Sequence, residues 1–120
     1  MGVDVEENRT LNDVEDLSKM VLACDELAIV SNAITLEDRS AIFLQLWTRK
    51  EALLKATGKA LGSIDLKSFS VLSACEIQKR RLELKPIRVN LDGRQWEIVS
   101  TQEIIKGHTS AIAGQIDHLS

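Results

Sequence analysis

The chain has 120 residues, 44% of them apolar and 28% charged, with a formal net charge of −3. That balance excludes disordered and fibrous classes, and the lack of a basic excess argues against nucleic acid as a partner. Apolar runs of only a few residues fall far short of the ~20 that span a bilayer, so one compact cytoplasmic domain covering 1–120 is expected.

Gly2-Val3-Asp4-Val5-Glu6 alternates apolar and acidic residues, the period of a strand with one face toward a core. Leu11, Val14 and Leu17 stand at helical spacing within 11–20, and 25–30 reads as a second short helix. Thr35-Leu36-Glu37-Asp38 has the form of a capping box, so a long helix is predicted from there to Thr57, closed by Gly58. Beyond Leu61 the period becomes two, predicting strands over 69–72, 82–84, 87–91, 95–99 and 110–116. Asp92-Gly93 predicts a tight hairpin, and Pro86 a strand break or an edge. The fold class is therefore α+β, with a long helix and shorter helices on one face of an antiparallel sheet.

On a strand, Asp4 and Glu6 point to one side, roughly 7 Å apart at Cα, so both carboxylates can reach one hard cation such as Mg2+. Acid-apolar-acid triplets are also common on solvated edges. On the long helix, Glu51 and Lys55 lie four residues apart on a face shared with Trp47 and Leu54. An exposed helix-stabilising pair is the simpler interpretation. The broad apolar arc of Ile42, Phe43, Leu46, Trp47, Leu53 and Leu54 places these charges at a buried margin, where they need partners.

Two segments, Gly2 to Glu6 and, about forty residues on, Leu46-Trp47-Thr48-Arg49-Lys50-Glu51-Ala52-Leu53-Leu54-Lys55-Ala56-Thr57-Gly58-Lys59-Ala60-Leu61, resemble the signatures of phosphopantetheinyl transferases. The likeness is greatest to the C-terminal half of the surfactin-synthetase type, with Ala60 in place of that family's last glycine. Glu26 resembles a family glutamate ahead of the long helix, and 108–114 the closing strand.

The resemblance implies transfer of the 4'-phosphopantetheine group of coenzyme A to a serine of an acyl or peptidyl carrier protein. Asp4, Glu6 and Glu51 would hold Mg2+, Glu51 would accept the serine proton, and Lys50 and Lys55 would meet phosphate oxygens, Lys55 also assisting the leaving group. Surfactin-type members have two such halves with coenzyme between them, so a natural short subunit and a fragment are both open. A homo-oligomer is expected, a dimer before a trimer, to cover the apolar face a single half leaves bare. The rival expectation is a non-catalytic module that binds coenzyme A or a carrier.

The other chemistry-bearing residues read as structural. Cys24 and Cys75 lack a paired spacing and are expected to be reduced structural thiols. Lys79-Arg80-Arg81, followed by Lys85, reads as a solvated strand and turn, with local attraction for the coenzyme's phosphates or for acidic carrier proteins as the alternative. His108 is expected at a strand start, Trp96 in the core and His118 in a terminal tail.

Overall fold

A computed structural model of the chain describes residues 1–59, 63–102 and 106–116. Strand β1 (Gly2–Glu7) is followed by helices α1 (Val14–Val21), α2 (Cys24–Asn32) and α3 (Leu36–Thr57). A 3-10 turn (Leu66–Ser68) and a short helix α4 (Ala74–Lys79) lead into strands β2 (Ile87–Leu91), β3 (Arg94–Gln102) and β4 (His108–Gln115). The sheet is antiparallel throughout, in the order β1-β4-β3-β2. The expected α+β architecture is the observed one. Ala60 and Leu61 of the helix signature and His118 lie outside the described residues.

Helix α3 begins and ends where its cap residues place it. Thr35 accepts a hydrogen bond from the Asp38 N–H at 3.1 Å, and Gly58 closes the helix at φ 73°, a region a side chain disfavours. The helix lies across β1 and β4, and the residues beneath it are small: Ala111 and Ala113 are fully buried. Gly2 is smaller still. A Cβ there would fall 2.0 Å from the Ala52 carbonyl oxygen and 2.4 Å from the Ala56 nitrogen, so only glycine lets β1 lie this close to α3. This close approach brings the acidic strand up to the helix.

The inner face of the sheet carries Ile87, Val89, Trp96 and Ile98, which join Phe43, Leu46, Leu53 and residues of α1 and α2 in one core cluster. Trp96 is core, as expected, and its indole N–H donates to the Leu91 carbonyl at 3.2 Å. The outer face is bare. Val3 pairs with Ile112, which pairs with Val99, and Val3, Val5 and Ile112 remain 47%, 42% and 37% exposed. Among the described residues no helix is long and apolar enough to cross a membrane.

Two predicted strands do not form. Segments 69–72 and 82–84 lie outside the sheet, and backbone groups of Phe69, Val71 and Glu83 bond to buried side chains instead of to a strand ladder. The Val71 N–H donates to Glu26 Oε2 at 2.8 Å, and the Val71 carbonyl accepts from Arg49 Nη1 at 3.0 Å. The Glu83 N–H donates to Glu76 Oε2 at 2.7 Å, and its carbonyl accepts from Arg49 Nη2. Between them sits α4, absent from the sequence expectations. Ser73 and Glu76 form its reciprocal capping box. Lys79 and Arg80 therefore end a helix rather than form a strand, with Arg80 left-handed at φ 53°.

Asp92 and Gly93 make the predicted hairpin turn, both with positive φ. Pro86 immediately precedes β2, an edge strand. His108 opens β4, its ring Nδ1 2.9 Å from the Lys106 carbonyl oxygen. Cys24 and Cys75 are free thiols, and both are exposed, so neither is a packing residue.

Candidate active site

The site stands where β1 crosses the C-terminal part of α3. The two-residue strand period turns Asp4 and Glu6 inward, toward the helix, while Val3 and Val5 point out. The helical period sets Glu51 and Lys55 one turn apart on the side facing that strand. Asp4 is 6% exposed, an unusual depth for a carboxylate without a full set of partners. Its Oδ1 takes the Lys55 ammonium at 2.9 Å, and the same ammonium donates to the Val3 carbonyl at 3.1 Å. Its Oδ2 is buried and has no hydrogen-bond partner.

Electrostatics bind the group together. Burial pushes the Glu51 carboxyl above its ordinary value, repulsion from Asp4 adds to this, Lys55 opposes it, and Glu6 raises it further. The three acids therefore feel one another across the strand-helix junction. Lys55 is shifted upward, first by its hydrogen bond to Asp4. Arg9 Nη1 stands 3.6 Å from Glu6 Oε2 and supplies a second cation at the rim, one the sequence patterns did not single out. Arg9 also lines an apolar groove of about 240 Å³ with Leu17, Met20, Phe43 and Trp47, whose rings stack.

As the side chains stand, no three His, Cys, Asp or Glu among the described residues are grouped so as to hold a metal ion. In this arrangement Lys55 supplies the positive charge against Asp4. The donor set nonetheless fits a hard divalent cation: carboxylate oxygens only, one of them buried and unsatisfied, beside a glutamate destabilised by like charge.

Lys50 does not belong to this group, which corrects the expectation that it meets phosphate. Its side chain is 0% exposed and points away from the carboxylates. Its ammonium pairs with Glu26 Oε1 at 2.8 Å, donates to the Leu66 carbonyl and to the Phe69 carbonyl at 2.9 Å, and sits 4.6 Å from the Phe69 ring centroid. Glu26 also accepts from the Ala23 and Val71 N–H groups. Burial moves both groups toward their neutral forms, Glu26 upward and Lys50 downward, against their mutual attraction. This pair fastens the segment after α3 to α2.

A second buried pair does the same from the neighbouring position. Arg49 spans Glu76 in bidentate fashion at 3.0 and 2.9 Å and donates to Ser100 Oγ at 2.8 Å. The consecutive Arg49-Lys50-Glu51 thus divides its labour, two residues holding the fold and the third facing the acidic strand. The signal missed in the sequence was Ser73-x-x-Glu76, a capping-box pattern whose glutamate completes the Arg49 pair.

A family model described as the 4'-phosphopantetheinyl transferase superfamily matches residues 1–113. The chain is also similar to the 4'-phosphopantetheinyl transferase HetI of Nostoc sp. (strain PCC 7120), at 34% identity over 65 residues. That alignment takes in 54% of this chain and 27% of the relative, so the chain matches about a quarter of the relative's length.

Proposed function

Since the chain belongs to the 4'-phosphopantetheinyl transferase superfamily, we propose that it moves the 4'-phosphopantetheine group of coenzyme A onto a serine of an acyl or peptidyl carrier protein. The observation that carries this is the buried, unsatisfied Asp4 Oδ2 beside the like-charged Glu51 and Glu6, a set of hard oxygens whose charge the neighbouring cations do not fully offset. Asp4, Glu6 and Glu51 would hold Mg2+. When bound, that ion supplies charge cancellation against the pyrophosphate of the coenzyme.

The chain's own residues do the rest. Glu51 accepts the serine proton directly or through a water. The serine oxygen forms a bond to the phosphorus bearing the pantetheine arm, and the bond from that phosphorus to the adenosine bisphosphate breaks. Lys55, whose side chain is 52% exposed, donates to the departing phosphate. Positioning and electrostatics dominate such phosphoryl chemistry, and no covalent enzyme intermediate is required.

The outer sheet face of Val3, Val5 and Ile112 supports self-association through that surface, most simply as a twofold dimer. Sedimentation at micromolar concentration is expected to show a dimer that Ile112→Lys converts to monomer. A wild-type monomer contradicts the assignment.

The proposal is tested by incubating the full chain with Mg2+, coenzyme A and apo carrier proteins and weighing the carriers by mass spectrometry. Addition of phosphopantetheine to a carrier serine is the expected result. Coenzyme binding with no transfer to any carrier would favour a non-catalytic binding module.

A further inference from the structure

We infer that Lys55 is an internal competitor for the cation position, so that a divalent ion binding at Asp4 expels the Lys55 ammonium and thereby frees it to meet an anion. The inference rests on the proposed metal role of Asp4, Glu6 and Glu51.

The two partners of the ion pair are unequally anchored. Asp4 is fixed on β1 with its side chain 8% exposed, whereas the Lys55 side chain is 52% exposed. The ammonium is the end that can leave. It makes two contacts at the site, to Asp4 Oδ1 and to the Val3 carbonyl, and water can replace both for a flexible, strongly hydrated group. Asp4 has no such escape, and its second oxygen remains unsatisfied while Lys55 holds the first.

A single ammonium offsets only part of the charge present. Asp4, Glu6 and Glu51 carry three formal negatives when ionised, and Arg9 lies 3.6 Å from Glu6 at the rim. A divalent cation brings twice the charge of Lys55 and accepts several oxygens at once, so it outcompetes a half-exposed pair of modest strength. Lys55 lies one helical turn beyond Glu51, and release leaves its four-carbon stem swinging beside the reacting groups. Metal binding and readiness to receive a phosphate are thereby coupled in one side chain. The order follows: metal first, then coenzyme.

Mg2+ titration of the full chain by calorimetry tests this, comparing wild type with Lys55→Met, which keeps an unbranched apolar stem and removes the charge. Lys55→Met is expected to bind Mg2+ about three- to tenfold tighter, the size of effect a partly exposed ion pair exerts. Lys55→Arg, which keeps the charge, is expected to bind no tighter than wild type. The Lys55 ammonium signal in nitrogen-15 spectra is expected to move toward the position of exposed lysines as Mg2+ saturates. Wild-type binding with unchanged or weaker affinity in Lys55→Met and a stationary Lys55 signal overturns the competition alone. Failure of the wild type to take Mg2+ overturns the metal role and the competition with it.

Discussion

Replacing Glu51 by alanine is expected to slow phosphopantetheine transfer by about two to four orders of magnitude, the range a general base contributes, while leaving the fold intact or firmer. The two halves of this expectation come from the same observation. Burial and the neighbouring Asp4 charge raise the Glu51 carboxyl. A carboxyl raised in the fold favours its protonated form there, so its ionisation detracts from stability as pH rises through the raised value. Removing it relieves that repulsion at neutral pH. Transfer followed by carrier mass and stability followed by urea midpoint should therefore move in opposite directions. A variant that loses activity and stability together would mark Glu51 as structural, and one that keeps full activity would remove it from the mechanism.

The second large effect lies outside the chemistry. Glu76→Ala is expected to cost about 3–5 kcal/mol in urea unfolding, a large share of a typical domain's stability, because it strands the buried Arg49 guanidinium. Arg49 is 1% exposed and cannot turn to solvent without unpacking α3. Losing Glu76 also unpairs the Ser73 and Glu83 N–H groups, which it accepts at 3.0 and 2.7 Å. The double variant Arg49→Met with Glu76→Leu, which removes both charges, should recover part of the loss.

The same pair predicts acid sensitivity. Burial acts to raise the Glu76 carboxyl, but the Arg49 hydrogen bond and the N–H groups of Glu83 and Ser73 outweigh it and hold it below its ordinary value of 4.5. Its contribution is complete above that value and is lost as pH falls through the lower folded one. A urea midpoint unchanged by Glu76→Ala would contradict this account of the segment between α3 and β2.

The divide between what the sequence disclosed and what it hid follows from the range of the forces involved. Local rules located α3 to the residue, because Thr35 and Gly58 act on backbone groups within one turn of themselves. The Asp92-Gly93 turn and the shared side of Asp4 and Glu6 are local in the same sense, but that this side faces the helix while Val3 and Val5 face out is a tertiary outcome the alternation did not disclose. Segments 69–72 and 82–84 carry apolar residues because they pack on the core, but burial alone does not dictate what their N–H and carbonyl groups bond to. Arg49, Lys50, Glu26 and Glu76 supply those bonds from positions distant in the sequence, and no periodicity records such pairings.

Lys50 shows the limit most clearly. Adjacent to Glu51 in the signature, it lies about 100° around the helix, and that rotation takes it from the carboxylate site into the core. The close contact of Gly2 with Ala52 is equally tertiary. The family signature is thus partly a record of packing: a glycine to bring the strand in and two long cations to hold the following segment. Asp4, Glu6, Glu51 and Lys55 remain as the chemistry at the strand-helix junction.

The most direct measurement is a titration of the full chain with Mn2+, used as a paramagnetic substitute for Mg2+ and followed by line broadening of assigned amide signals. The account predicts that the signals of residues 4, 6 and 51 broaden together at the lowest Mn2+ concentrations and recover when Mg2+ is added in excess. Broadening centred on other residues, or broadening of residues 4 and 6 that leaves 51 sharp, would contradict it.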